Sequence, residues 1–398
     1  MGQGLSLVGT WMQRTALLWL ISTKFSDARI AAFWLGVVGF TGQIPALVLT
    51  PLAGVLADRW NRHHMVIWTQ TLAMIQAFVL ATLTLTGVIE IWQILVLSFW
   101  LGAVNAVDIP ARQSFIIELV DRPEDLTNAI ALNSSIVNGG RLIGPALGGA
   151  LTAMFGVGIC FLLNGLSFLT VIVALLAMRI KPRQIKPSGK HVLHNLAEGF
   201  VYAFKFPPIR ALLMIMALVS LVGIPYASLL PVFAKHVYAC GPKGYGALVA
   251  GVGAGALVGA LYLAGRSTVR GLDRVIAMAP ALLGAGLIAF ALGGSFTLAL
   301  ILMPLVGLGQ MLLMAAANTV LQTNVDDDKR GRVMSFYSLS FMGMVPIGNL
   351  LAGVVARQIG PATTVAIGGA VCIVGALDFC RKLPALRKLV HPIYISKG

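Results

Sequence analysis

The chain has 398 residues, of which 58% are hydrophobic and only 11% charged, and its mean hydropathy is +0.88. A water-soluble domain carries about 25% charged residues, so this composition excludes an ordinary soluble enzyme or binding domain and predicts an integral membrane protein. The formal net charge of +15 would also suit a nucleic-acid ligand, but no aromatic residues alternate with the basic ones, so we expect no nucleic-acid partner.

Twelve apolar segments follow one another along the chain. A helix of about 20 apolar residues crosses the hydrocarbon core of a bilayer, and each segment is close to that length. The sequence therefore predicts an all-α integral membrane fold with twelve transmembrane helices. The predicted spans are 3–23, 30–53, 64–86, 89–111, 128–153, 156–178, 209–234, 244–265, 274–294, 297–321, 333–356 and 361–380.

The longest polar connection, residues 179–208, divides these spans into two groups of six. We expect an N-terminal half at 1–178 and a C-terminal half at 209–380, followed by a tail at 381–398. Secondary transporters are commonly built from two such parallel repeats.

Lysine and arginine are distributed unequally between the two sets of connections. The even-numbered connections and the tail carry 22 of the 29, the odd-numbered connections carry 5, and Arg14 and Arg141 lie inside spans. Because cytoplasmic loops are enriched in these residues, we expect both termini and the central loop to face the cytoplasm. Met1 leads directly into an apolar segment, so we expect no cleavable signal peptide.

A short charged turn, residues 54–62, joins the second and third spans. Asp58 is flanked by Arg59 and Arg62, and Gly54 allows the two helices to approach closely. These charges can pair with helix ends on the same face of the membrane, Asp58 with the positive N-terminal end of the eleventh span. We expect the turn to form part of a latch.

Asp108 and Arg112 end the fourth span at the same cytoplasmic level. An ion pair between Asp108 and Arg62 would include this acid in the latch, to which the turn before the eleventh span adds Arg330 and Arg332. Asp108 is also the acid nearest the hydrocarbon in the N-terminal half, so desolvation could make it a proton carrier. We favour the latch and leave the carrier as the alternative.

Two arginines lie near the middle of spans, where a charge is costly unless it faces a cavity or a partner. They either bond to neighbouring helices or line a central cavity that attracts a polar or anionic substrate. Other polar groups inside spans have the same two interpretations, and we expect most to be interhelical hydrogen bonds. The cavity candidates are Gln13, Arg14, Gln43, Asn133, Asn138, Arg141, Asn164, Gln310 and Asn318.

The fifth span contains the pattern G-x-x-x-G-P-x-x-G-G. Its proline can kink the helix, and its glycines allow close packing against a facing helix. The alternative is a tightly packed helix with no special role. The pattern consists of Gly140, Gly144, Pro145, Gly148 and Gly149.

These motifs resemble those of the major facilitator superfamily. Residues 54–62 resemble motif A, with Asn61 where the family usually has glycine, and the fifth-span pattern resembles motif C of drug–proton antiporters. Residues 9–14, 110–113 and 330–332 are similar to the branch that holds the enterobactin exporter and the macrolide efflux proteins. The resemblance covers essentially the whole chain.

The resemblance implies a bacterial inner-membrane exporter that works by alternating access, coupled to protons, as a monomer without cofactor or metal. The sequence contains no phosphate loop, metal-ligand spacing or paired nucleophile and base, so we expect no enzyme. No acid lies near mid-depth, and Arg14 and Arg141 instead suggest a polar or anionic substrate such as a siderophore, ranked above a cationic drug. A lysophospholipid flippase and a non-transporting membrane sensor stay open as alternatives.

Overall fold

A computed structural model describes residues 2–57, 60–118, 122, 125–178, 205–266, 268–269, 271–325 and 327–397. The regular structure of this described part is helical. Asp58 and Arg59 of the predicted latch lie outside it, as does most of the central connection.

Seven helices form the first part of the chain. Turns of a few residues join several of them, as expected for neighbouring membrane spans. They are α1 (Gly2–Thr23), α2 (Ala28–Thr41), α3 (Ile44–Ala57), α4 (Arg62–Leu85), α5 (Ile91–Glu118), α6 (Leu126–Phe155) and α7 (Val157–Ala177).

The remaining described helices include three short π-helical segments, Val219–Gly223, Phe233–Val237 and Leu339–Gly343. The α-helices are α8 (Pro207–Leu218), α9 (Tyr226–Val232), α10 (Gly241–Ala264), α11 (Leu272–Leu292), α12 (Phe296–Asn324), α13 (Asp327–Ser338), α14 (Met344–Ile359) and α15 (Pro361–Lys397).

Ten helical stretches of the described residues are long and apolar enough to cross a membrane, so the chain is a multi-pass membrane protein. The predicted spans 3–23 and 128–153 are not among them, although α1 and α6 form there. Both helices carry amide side chains and an arginine, which lower their mean hydropathy.

Several predicted spans differ from the helices observed. The second span breaks into α2 and α3 at Gly42, whose carbonyl oxygen would lie 2.3 Å from a Cβ on Gly102 of α5. The predicted seventh and eleventh spans each contain a π-helical turn. The predicted tail is helical, because α15 continues through it and Arg387 forms an ion pair with Asp273 at the start of α11.

The chain groups into two compact units, Met1–Ser188 with Leu230–Ala250, and Gly189–Leu229 with Gly251–Gly398. The predicted halves place 230–250 in the second group instead, and the six-plus-six division stays a prediction. The structure therefore assigns the last part of the predicted seventh span and the first part of the eighth to the first unit.

The first unit is held by helix pairs that bury small and aliphatic side chains. Helix α1 packs on α6 and α7, α4 packs on α5 and α7, and α3 packs on α5. One core cluster includes Met65, Val66, Phe115 and Leu175 from α4, α5 and α7.

In the second unit, α11 packs on α12 and α15, where Gly284 and Gly369 allow close backbone approach. The Val219–Gly223 segment is covered by α14, since a Cβ on Gly348 would lie 2.3 Å from the Leu221 carbonyl oxygen. Close by, the Ser228 hydroxyl donates to Asn349 Oδ1 at 2.9 Å.

Candidate functional site

Three glycines of α6 form a flat strip against α1. Gly140, Gly144 and Gly148 are four residues apart, so they share one face of the helix. A Cβ on Gly144 would lie 2.5 Å from Trp11 Cβ and 2.8 Å from the Val8 carbonyl oxygen. The absence of side chains on this strip lets the α1 backbone approach, as small residues do between membrane helices.

This close approach places two arginines around one tryptophan. The Cζ atoms of Arg14 and Arg141 each lie 5.4 Å from the Trp11 ring centroid. Arg14 is exposed and Arg141 is half-buried. The ring attracts both guanidinium groups through its electron-rich face. Among the residues that the structure describes, no carboxylate lies within ion-pair distance of Arg14. We call Trp11, Arg14 and Arg141 the arginine–tryptophan cluster.

A chain of buried amides lies beside this cluster. Gln13 Nε2 donates to Gln76 Oε1 at 3.0 Å, and Asn164 Nδ2 donates to Gln13 Oε1 at 2.8 Å. Gln76 continues to the Leu97 carbonyl oxygen at 3.4 Å, and Ser167 donates to Asn164 Oδ1 at 3.1 Å. The chain links α7, α1, α4 and α5. Gln13 and Asn164 therefore serve as interhelical bonds here, and their lining of a cavity stays a prediction.

The other predicted cavity residues are divided between the two units. Gln310 is buried in α12, Asn138 and Asn318 bond within their own helices, and Gln43 bonds from the turn after α2 back to that helix. The observed bonds are Gln43 to the Gly39 carbonyl at 3.2 Å, Asn138 to the Ser134 carbonyl at 2.9 Å, Gln322 to Asn318 at 2.9 Å and, between α1 and α6, Gln3 to Asn133 at 2.8 Å.

Asp108 occupies a buried cluster between α4 and α5. Its Oδ1 accepts hydrogen bonds from the Thr69 hydroxyl at 2.6 Å and from Gln70 Nε2 at 3.0 Å. Its Oδ2 accepts from Arg112 Nη2 at 2.8 Å and Nε at 3.1 Å. Four donors thus surround the carboxylate. We call Thr69, Gln70, Asp108 and Arg112 the carboxylate cluster.

The other predicted latch residues lie near helix ends. Arg62 is the first residue of α4, where the Asn61 side chain caps the helix by accepting from His63 N at 3.0 Å. Arg330 and Arg332 lie half-buried in α13, and Gly54 lies in α3. The ion pair between Arg62 and Asp108 stays a prediction.

The C-terminal ends of α1 and α6 contact residues from 230–250. A Cβ on Gly149 would lie 2.5 Å from the Pro242 carbonyl oxygen and 2.9 Å from Gly246 Cα. Lys235 Nζ donates to the Ser22 and Phe25 carbonyl oxygens at 2.9 and 2.7 Å, which caps the end of α1. We call these contacts the outer closure, because the topology predicted from the lysine and arginine distribution has this end outside.

Two titratable groups next to the outer closure are shifted by burial. Burial, with a contribution from Cys240, raises the pKa of Tyr238 to about 12. Burial also raises the pKa of the Cys240 thiol. Both groups are therefore neutral near pH 7.

Sequence reasoning missed several residues of these sites, among them Trp11, Thr69 and Lys235. Trp11 precedes Arg14 by three positions, so helical spacing could have placed both on one face. Thr69 and Lys235 carry no such signal, because their partners are 39 and more than 200 positions away in the chain.

Known proteins resemble this chain over nearly its full length. The Staphyloferrin A transporter of Staphylococcus aureus is 25% identical, and the alignment covers 95% of this chain and 94% of that protein. The multidrug efflux pump Tap of Mycolicibacterium fortuitum is 24% identical, with 98% and 93% covered. Both are named as transport proteins and not as enzymes.

The fold is similar to that of solved transporters. The crystal structure of the nucleoside transporter NupG aligns with a TM-score of 0.72 at 14% identity, over 96% of each chain, and this likeness concerns the fold alone. A family model described as transmembrane secretion effector matches residues 2–391.

Proposed function

Since this chain belongs to the transmembrane secretion effector family of the major facilitator superfamily, we propose that it exports a polar or anionic small molecule by alternating access. The observation that supports the substrate class is the arginine–tryptophan cluster. Arg14 is exposed inside a helix that we assign to the membrane, and a second guanidinium shares its tryptophan.

Two neighbouring guanidinium groups repel each other unless an anion lies between them or near both. Carboxylate and catecholate oxygens accept charge-assisted hydrogen bonds from the planar guanidinium fork, which holds such groups in two-point contact. A cationic drug would meet repulsion at the same place. We therefore rank a siderophore first and a cationic drug second, in line with relatives that include the Staphyloferrin A transporter and the pump Tap.

We propose twelve spans in the bacterial inner membrane, with α1 and α6 as the first and fifth. Their lower hydropathy fits helices that present polar groups to a protein interior instead of to lipid. Both termini and the connection 179–208 are placed in the cytoplasm. Reporter fusions at Lys190 and at the C-terminus test this topology, and a periplasmic signal from either would refute it.

The proposed cycle alternates between two closures of the same fold. At the inner side, Asp58, Arg62 and the carboxylate cluster form the latch, and at the outer side the glycine contacts of α6 and the Lys235 cap close the first unit. Conformers of such a switch differ by about a few kcal/mol, so loss of one charge can trap one state. Asp58→Asn should abolish transport without loss of expression, and normal transport by this variant would remove Asp58 from the latch.

We also propose that export is driven by protons and that the working unit is a monomer. The carboxylate of Asp108 already accepts four hydrogen bonds, which favours its role in the latch over that of proton carrier. The substrate's own ionisation then offers the route by which a pH gradient drives export.

The test is transport in reconstituted vesicles under an imposed pH gradient. We expect wild-type protein to move a carboxylate or catecholate siderophore faster than a cationic dye, and Arg14→Gln and Arg141→Gln to lose siderophore transport. Lys243→Gln removes one positive charge outside the cluster and should transport normally. Dye export that survives both arginine variants, with no siderophore movement by wild type, would refute the substrate class. Movement of a lysophospholipid alone would support the flippase.

A further inference from the structure

A cavity of the first unit lies at the outer end of its helices, far along α1 from the arginine–tryptophan cluster. It has a volume of ≈ 530 Å³ and lies between the turn that joins α1 to α2 and the turn that joins α4 to α5. One turn follows α4, which is long and apolar enough to cross a membrane, and the other follows α1, which we assign to the membrane. The cavity is therefore at the boundary of lipid and water. Its lining residues are Lys24, Phe25, Trp34, Glu90, Ile91, Trp92 and Leu95.

The cavity presents one charge of each sign, and each charged side chain is held by its own partner. Lys24 Nζ donates to the Ile89 carbonyl oxygen. This bond uses one of the three N–H groups of the lysine. Glu90 Oε2 accepts from the Trp92 indole N–H at 3.0 Å. Within the described part of the chain, Lys24 and Glu90 form no ion pair with each other. Both charges therefore stay available to a ligand.

Aromatic rings complete the wall. Phe25 and Trp34 are stacked, with ring centroids 6.3 Å apart and planes 5° from parallel. The side chain of Trp92 is 60% exposed beside Glu90. Aromatic faces together with a carboxylate are the surroundings in which ammonium groups bind. Tryptophan is also enriched at the level of lipid headgroups.

The lower edge of the cavity is apolar. Ile91 and Leu95 are four residues apart on α5, so they lie on one face that runs from the turn into the membrane region. A ligand that fits both edges has an anionic and a cationic group at one end and a hydrocarbon chain at the other.

We propose that this cavity binds a zwitterionic phospholipid such as phosphatidylethanolamine, with its phosphate on Lys24 and its ammonium group on Glu90 and the aromatic rings. Ile91 and Leu95 contact the beginning of an acyl chain. The lipid belongs to the outer leaflet, because the charge distribution places both turns outside. This site is separate from the export substrate's cluster and does not depend on which substrate is exported.

Native mass spectrometry of the purified full chain tests the site with phosphatidylethanolamine, phosphatidylcholine and phosphatidylglycerol. The first two carry an ammonium group and the third does not. Wild-type protein should bind both zwitterionic lipids about tenfold more tightly than phosphatidylglycerol, since the electrostatic attraction of an ammonium group to aromatic faces and a carboxylate contributes about that factor.

The two charged residues should produce different signatures. Glu90→Gln should lower the affinity for both zwitterionic lipids to that for phosphatidylglycerol, and leave the latter unchanged. Lys24→Gln should lower the affinity for all three lipids equally, because all contain the phosphate. Lys243→Gln is the charge-matched control outside the cavity and should change none of the three affinities. Trp92→Leu serves as the second variant if Glu90→Gln does not fold. It should lower the affinity for the zwitterionic lipids only.

Equal binding of all three lipids by wild type would overturn the proposal, and so would equal loss of all three in Glu90→Gln. Glycerophosphoethanolamine, which has the headgroup without chains, is the last arm. If it displaces phosphatidylethanolamine at the lipid's own concentration, the cavity recognises a soluble zwitterion and the lipid assignment is wrong.

Discussion

Two charged groups inside helices of the first unit, Asp108 and Arg14, are accommodated in opposite ways. Asp108 is buried and accepts four hydrogen bonds from Thr69, Gln70 and Arg112. Arg14 is exposed and rests on Trp11 beside a second arginine. A buried charge that the protein itself surrounds is part of the structure, whereas an exposed charge inside a membrane helix is available to a ligand.

This comparison predicts its largest effect on stability at Asp108. Asp108→Ala leaves the half-buried Arg112 guanidinium without this partner, and breaking a mostly buried pair in this way should cost about 3 kcal/mol. The free energy of unfolding in mixed micelles measures it. Ser98→Ala is the control in the same helix, because the buried Ser98 hydroxyl has no hydrogen-bond partner among the described residues and its removal should change little. Equal unfolding of both variants would contradict the structural role of Asp108.

The position of Arg14 depends on the glycine strip. A substitution at Gly144 is therefore the second test of the comparison between Asp108 and Arg14. Gly144→Ala places a Cβ against Trp11 and should cost about 1–3 kcal/mol through overpacking. Gly139→Ala is the matched control, since a Cβ there has open space in the described structure, and alanine should stabilise the helix by about 0.5–1 kcal/mol. Thermal unfolding and transport should therefore distinguish two glycines of one helix that are five residues apart.

Lys235 should produce a smaller change than either of these. It donates to two carbonyl oxygens at the end of α1, so Lys235→Met should cost about 1 kcal/mol of unfolding free energy. Hydrogen exchange at the end of α1 should rise in the same variant. Unchanged exchange there would mean that water replaces the cap without loss.

Arg14 itself should have the smallest effect on stability and a large one on export. Arg14→Gln loses its contact with the Trp11 ring and also relieves repulsion from Arg141, so the unfolding free energy should change by no more than about 0.5 kcal/mol. Transport of an anionic substrate should fall with a raised KM. A variant that instead unfolds like Asp108→Ala would show that Arg14 is a structural charge too.

Much of the fold class follows from local features of the chain. The apolar segments, the glycine spacing of 140–149 and the mid-span arginines can each be identified from neighbouring residues. Helix forms in each predicted span, although the second span breaks at Gly42 and the seventh and eleventh contain π-helical turns. The resemblance to the major facilitator superfamily, drawn from residues 54–62, 140–149 and 330–332, is confirmed by the family match. Helix α15 continues past its apolar part into the predicted tail.

Other properties arose only from tertiary contacts. Helical period shows that Gly140, Gly144 and Gly148 share a face, but only packing shows that this face meets α1 and positions Trp11 between two arginines. Composition identified polar groups within spans, but it does not separate a bonded amide such as Gln13 from an exposed charge. That distinction depends on hydrogen-bond partners that are distant in the chain, 39 positions for Asp108 and Thr69 and 151 for Gln13 and Asn164. The energy of a buried polar or charged group is set by such partners and not by its neighbours in sequence.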